Sequence, residues 1–111
     1  RGYRSATETQ GGIMAKRVMI ATMKANPGQR DELLAQFTDM FAVANAEAGT
    51  EVYTLVSGDD PDTIYMIEQY ADQAAMDSHM GSESLAALYP KIGPFMADGG
   101  AVMGSVHQEL G

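Results

Sequence analysis

The 111-residue sequence predicts an α+β fold of the ferredoxin-like type, a split βαββαβ order with a four-stranded antiparallel sheet and helices on one face. The first observation is a change of apolar period, two in the strand stretches and 3.6 in the segments between them. The second is the placing of Gly, Pro, Asn and Asp at the joins, where turns need them. A third observation concerns assembly. A sheet covered on one side only should alternate apolar and polar, yet Met19, Ala21 and Met23 oppose Val18 and Ile20, and Tyr65 and Ile67 oppose Ile64, Met66 and Tyr70. No segment of the chain is left to cover the second face, so a homodimer joined through its sheets is expected.

In chain order, Arg1–Ile13 is polar and ends near Gly11-Gly12. It reads as a tag-like or flexible tail, an expression remnant before a start at Met14 or a native arm, with one domain over 14–111. Arg17–Ala25 is the first strand and Asn26-Pro27-Gly28 a turn. A helix is expected from Gln29 to Ala48, with Asp31 and Glu32 at its positive end. Leu33, Phe37, Met40, Phe41 and Ala44 should face the core, and Asp39, Asn45 and Glu47 water. Gly49 stops the helix. Glu51–Ser57 is the second strand; a polar turn at Gly58–Asp62 makes it a hairpin with the third, Thr63–Tyr70. Asp72 caps a short helix whose stripe holds Ala75, Met76, His79 and Met80. Gly81 breaks the period. A second helical piece from Ser82 carries Leu85, Leu88, Tyr89 and Ile92 on one side, with an end made irregular by Pro90 and Pro94. Gly99-Gly100 leads into the last strand, Ala101–Leu110.

Composition removes several function classes. Without cysteine there are no disulfides, no thiolate nucleophile and no thiolate metal site. Seven basic residues against fifteen acidic give a net charge of −8, a field that repels nucleic acid and anionic membranes. No apolar run approaches the roughly 20 residues that span a bilayer. The N-terminal stretch lacks the apolar centre of a secretory signal, so the cytoplasm is the expected compartment. Nine methionines are either adaptable core filler or the walls of a pocket that moulds to a flat apolar ligand. No Gly-rich phosphate loop follows a strand, and no serine nucleophile elbow is present.

The first strand running into Asn26-Pro27-Gly28 and an amphipathic helix, the hairpin, the run Tyr65-Met66-Ile67-Glu68-Gln69-Tyr70, and then Ala74 and His79 together resemble the antibiotic biosynthesis monooxygenase (ABM) family. The resemblance extends from about Met14 to Leu110. It implies a dimeric α/β barrel, two sheets face to face, with a pocket in each subunit between helices and sheet. Some members oxidise anthrone-like or quinol-like aromatics with dioxygen and neither metal nor flavin; others degrade haem or isomerise small metabolites. The haem-degrading members use an Asn, a Trp and a ligand His, where this chain has Ala21, His79 and Tyr89. Haem degradation is therefore not expected. The Trp-containing set of the anthrone oxygenases is incomplete as well, since the chain has no Trp.

Oxygenation without a cofactor needs a base, donors that steady the substrate anion, and a dry pocket. His79 is the candidate catalytic base, because imidazole titrates near working pH. The alternative is a histidine packed on its helical stripe. Tyr53, Tyr65 and Tyr89 are candidates to orient a phenolic substrate, or core tyrosines with the hydroxyl at the surface. Glu68, mid-strand in an apolar run, is a pocket carboxylate or half of an ion pair between subunits, and the pair is preferred here. Phe37, Phe41 and Met76 complete the expected pocket. His107 lies among polar neighbours, as a surface residue would. Two histidines far apart with no acidic cluster give no metal site, and no cofactor is expected. The expected function is a cofactor-independent monooxygenase that joins dioxygen to a small aromatic, quinol or anthrone-like substrate. The alternatives are a non-catalytic module that binds a small apolar metabolite, and an isomerase of a small carbonyl compound with His79 as proton shuttle.

Overall fold

A computed structural model describes residues 15–111 and the backbone of Tyr3–Arg4. The elements are β1 (Tyr3–Arg4), β2 (Arg17–Ala25), α1 (Arg30–Ala35), α2 (Thr38–Ala46), β3 (Thr50–Ser57), β4 (Thr63–Tyr70), α3 (Gln73–Met80), α4 (Glu83–Ile92), a 3₁₀ turn (Gly93–Phe95), β5 (Met96–Ser105) and β6 (Glu109–Leu110). Strands β2 to β5 form one antiparallel sheet in the order β3-β4-β2-β5, the expected split arrangement. Tyr3–Arg4 pairs with Glu109–Leu110 in a separate two-stranded ribbon. The rest of the expected N-terminal tail, and the proposed start at Met14, lie outside the described residues.

Period two decides which side chains meet the helices. On β2, Met19, Met23 and Ala25 are buried; on β4, Ile64, Met66, Glu68 and Tyr70 are. Leu33, Phe37 and Met40 from α1 and α2, and Leu85, Leu88 and Ile92 from α4, close over them as the main core. A smaller cluster of Met19, Tyr70 and Met76 lies under α3. The opposite face of the sheet carries a row across four strands, Thr54, Ile67, Ile20 and Val102, in register. Ile20, Ile67, Tyr65 and Val102 are all exposed there, so the second face is apolar and is not covered by the helices of the described residues.

Several expectations need correction. The helix from Gln29 to Ala48 is two helices, broken at Gln36 and Phe37. The Thr38 hydroxyl donates to the Ala35 carbonyl, and the amides of Gln36, Phe37 and Met40 bond three residues back instead of four. The second helix ends at Ala46 with Glu47 extended. Gly49 thus does not stop it directly; a Cβ there would lie 2.4 Å from the Ala75 Cβ, so Gly49 is what lets α3 approach β3. Helix α4 runs through Pro90 to Ile92 before the 3₁₀ turn takes Pro94. The last long strand begins at Met96, five residues earlier than expected, and ends at Ser105. The turn at Asn26-Pro27-Gly28 is as expected, with Gly28 at φ 77° and the Gln29 amide bonded to the Asn26 carbonyl. No helix among the described residues is long and apolar enough to cross a membrane.

Candidate active site

A cavity of about 150 Å³ lies between the helices and the inner face of the sheet. Its walls are apolar, built from Met19, Met23 and Met66 of the sheet, Phe37 from between α1 and α2, and Leu85 and Leu88 of α4. Three side chains with polar groups lie side by side in the lining, Glu68, His79 and Tyr53. Met80 and Tyr89, both exposed, mark the mouth, together with Ala101 on the edge strand β5.

Each polar group is placed by its element. Glu68 points inward because it shares the even positions of β4 with Ile64 and Met66. His79 is inward because the cap at Asp72, whose side chain accepts from the Ala75 amide at 2.8 Å, sets the phase of α3. The ring is only 1% exposed. Its Nδ1 lies 2.7 Å from Glu47 Oε1, and its Nε2 lies 3.7 Å from Glu68 Oε1. The second distance suits an ion pair but exceeds a direct hydrogen bond. Tyr70 donates its hydroxyl to the same Glu68 oxygen. Tyr53 and Tyr70 flank the imidazole with ring centroids 5.5 and 5.4 Å away.

Burial dominates the electrostatics. It pushes the Glu68 carboxyl above its ordinary value; the Tyr70 hydrogen bond and the nearby His79 pull the other way without reversing it. The Tyr53 hydroxyl is pushed up by burial and then by the charges of Glu68 and Glu47, so it stays a neutral donor. Tyr70 is raised by burial and by its bond to Glu68. The site therefore holds a carboxyl group that keeps a proton more readily than usual, an imidazole beside it, and a phenol that donates. Such a set can take and return a proton inside an apolar wall. No cluster of three or more His, Asp and Glu that could hold a metal ion occurs among the described residues.

Of the residues singled out in the sequence, the structure brings His79, Tyr53, Glu68, Phe37 and Tyr89 to the cavity. It separates three others from it. Tyr65 sits at an odd position of β4 and faces the outer side of the sheet, 37% exposed, over Gly58. Phe41 lies outside, edge-on to Tyr53 at 5.0 Å, supporting that ring rather than touching the cavity. Met76 is buried one layer away against Met19 and Tyr70. Glu68 lies on the helix side of the sheet, so it is a pocket carboxylate and not half of an ion pair across the outer face. His107 is exposed. Glu47, expected to face water, reaches His79, and Tyr70, read only as an apolar strand residue, bonds Glu68. A signal for Glu47 was present: the inward positions 33, 37, 40 and 44 continue by the same alternation of four and three to 47.

Against known proteins, the chain is similar in structure to PA3566 from Pseudomonas aeruginosa, at 27% identity and a TM-score of 0.76, over 86% of this chain and 98% of that one. A solved antibiotic biosynthesis monooxygenase aligns at 26% identity and a TM-score of 0.72, over 81% and 97%. Protein SO0527 from Shewanella oneidensis shares the fold at 21% identity, with a TM-score of 0.78 over 84% and 92%. No curated protein matches the chain. The model of the family described as "Antibiotic biosynthesis monooxygenase" matches residues 17–90, which hold β2 through most of α4 and every polar residue of the cavity, and the chain belongs to that family.

Proposed function

We propose that this chain is a cytoplasmic, homodimeric monooxygenase that oxidises a small electron-rich hydroxyarene, a quinol, with dioxygen and no cofactor. The observation that carries the reading is the polarity of the cavity: apolar walls with Glu68, His79 and Tyr53 as neighbours in the lining. A ring would lie among the methionines and leucines, with its hydroxyl toward those three residues. The Glu68–His79 pair takes the hydroxyl proton, and Tyr53 donates to the oxygen that becomes anionic. The electron-rich anion then reduces dioxygen directly. One oxygen atom enters the ring and the other leaves as water, which carries the two electrons and two protons that the quinol gives up. Family membership and the similar solved monooxygenase support the reaction class.

Size narrows the substrate. A cavity of about 150 Å³ is the volume known to hold benzene. A single-ring hydroquinone fits that space, whereas a three-ring anthrone needs Met80 and Tyr89 to move aside at the mouth. The test is oxygen uptake by purified protein, with flavin and metal removed, over a panel of hydroquinones, catechols and anthrones. Heat-denatured protein and the His79→Ala variant serve as blanks, because quinols oxidise unaided. Uptake above both blanks, largest with single-ring quinols and insensitive to chelator, is the expected result; uptake equal to the blanks for the whole panel overturns the reading. One observation favours the binding-module alternative: Tyr70 already gives Glu68 a partner within the chain. Thermal stabilisation by a panel member without oxygen uptake would establish that alternative.

A further inference from the structure

Glu47, like Tyr70, belongs to this polar network without reaching the cavity, and its place at a helix end is not one that helix electrostatics favours. It follows directly on the last turn of α2, its amide bonded to the Ala44 carbonyl. A carboxylate there meets the negative end of the helix, where a cation would be favoured. The position is nevertheless held firmly. Its Oε1 accepts from the Thr50 hydroxyl at 3.0 Å as well as facing His79 Nδ1 at 2.7 Å. The side chain is 23% exposed, so its far edge meets water while its inner oxygen meets a buried ring.

We propose that Glu47 is a positioning residue of the site, fixing His79 as the tautomer with hydrogen on Nδ1 so that Nε2 presents its lone pair toward Glu68 and the cavity. The inference rests on the proton-accepting role given above to the Glu68–His79 pair. An ionised carboxylate only accepts hydrogen bonds, so the nitrogen 2.7 Å from it carries the hydrogen. A neutral imidazole then has one acceptor left, Nε2, the nitrogen nearer to Glu68. The other groups around the ring do not compete for Nδ1: the Tyr70 hydroxyl is spent on Glu68, and Tyr53 meets the ring by its aromatic face and edge. When Nε2 takes the substrate proton, the imidazolium stands between two carboxylates, and the proton is at hand for the oxygen that leaves as water. Glu47 thus acts on substrate only through His79, in the way that a buried carboxylate orients the histidine of a hydrolase triad.

The test pairs the unaltered protein with Glu47→Gln, both in a His107→Gln background, which leaves His79 as the only histidine. Glutamine keeps the size and one acceptor oxygen, but its amide can also donate to Nδ1 and so allows the other tautomer. Nitrogen-15 NMR of the ring is the first readout. Hydrogen on Nδ1 in the unaltered protein, with a population moved to Nε2 in Glu47→Gln, is expected. On the best single-ring quinol, kcat should fall about 10²–10⁴-fold, the range of one acid–base group, with KM and Tm nearly unchanged. A structural strut would instead lower Tm and leave kcat per folded molecule intact, which overturns the proposal. So does a ring protonated on Nε2 alone, or on both nitrogens throughout the pH range of the folded protein. If the unaltered protein takes up no oxygen, the oxygenase reading falls, and the tautomer readout alone then decides the place of Glu47.

Discussion

Glu68 is a carboxylate held among Ile64, Met66 and Tyr70 on the buried side of β4, and its raised pKa has a consequence for stability. The folded state binds this proton more tightly than the unfolded chain does. Its contribution to stability is therefore fully present below the ordinary carboxylate value and is lost as pH rises through the higher folded value. Glu68→Gln, which keeps shape and removes the charge, should melt at a higher temperature than the unaltered protein at pH 8. The advantage should vanish near pH 4. The same variant should lose activity about 10²-fold or more, a stability gain bought with function. Equal or lower Tm at pH 8 would contradict the assignment. His79→Ala acts differently, since it leaves Glu47 and Glu68 without their shared partner. It should cost about 1–3 kcal/mol in a denaturant titration, and about 10²–10⁴ in turnover at matched folded fraction; full turnover at that match would remove His79 from the reaction. At this scale the even positions of β4 were legible in the sequence and the contacts were not. Alternation places Glu68 and Tyr70 on one side and Tyr65 on the other, but does not say which side the helices cover. Glu47 was read as a solvent residue because charge at a helix end usually is.

Elements set the geometry in which those residues meet. His79 reaches Glu68 because α3 packs against both β3 and β4, and Gly49 opposite Ala75 permits that approach. Gly49→Ala would place two Cβ atoms 2.4 Å apart, so helix or strand must shift. Overpacking of this kind costs about 1–3 kcal/mol. Adding Ala75→Gly should recover part of the loss, less the roughly 0.5–1 kcal/mol that a glycine costs inside a helix. A chemical-denaturation cycle over the four proteins measures the coupling, and strict additivity would show that the two sites do not meet. Glycine at position 49 was visible as a helix stop; its closeness to Ala75 was not, because the two are distant in sequence and only the fold joins them. The break between α1 and α2 was hidden for another reason. Positions 33, 37, 40 and 44 keep one inward stripe through it, so the apolar pattern carries no trace of the interruption. The early start of β5 was hidden by Asp98, Gly99 and Gly100, residues that usually mark a turn but here pair with Lys24, Met23 and Thr22 of the central strand.

The whole molecule presents an apolar outer sheet face, and that was the most legible large-scale feature of the sequence. Ile67, in register with Ile20 and Thr54, is exposed at the centre of this face and touches none of the cavity. Ile67→Asp should therefore turn a dimer into a monomer by light scattering at micromolar concentration, while the far-ultraviolet circular dichroism keeps its shape. A monomeric unaltered protein would contradict the proposed assembly. The charge of −8 belongs to the same scale: it turns anions away, and a neutral quinol is the kind of ligand that such a field admits. The central claim is that the cavity moves one atom of dioxygen into such a ligand, and the most direct measurement is labelled oxygen. Purified protein should be given ¹⁸O₂ and the best single-ring quinol, and the products analysed by mass spectrometry beside the consumption of gas. One ¹⁸O atom in each product molecule, one in water, and one O₂ consumed per quinol is the predicted result. Uptake that ends in hydrogen peroxide with no label in the product, or no uptake above the blanks, would contradict it.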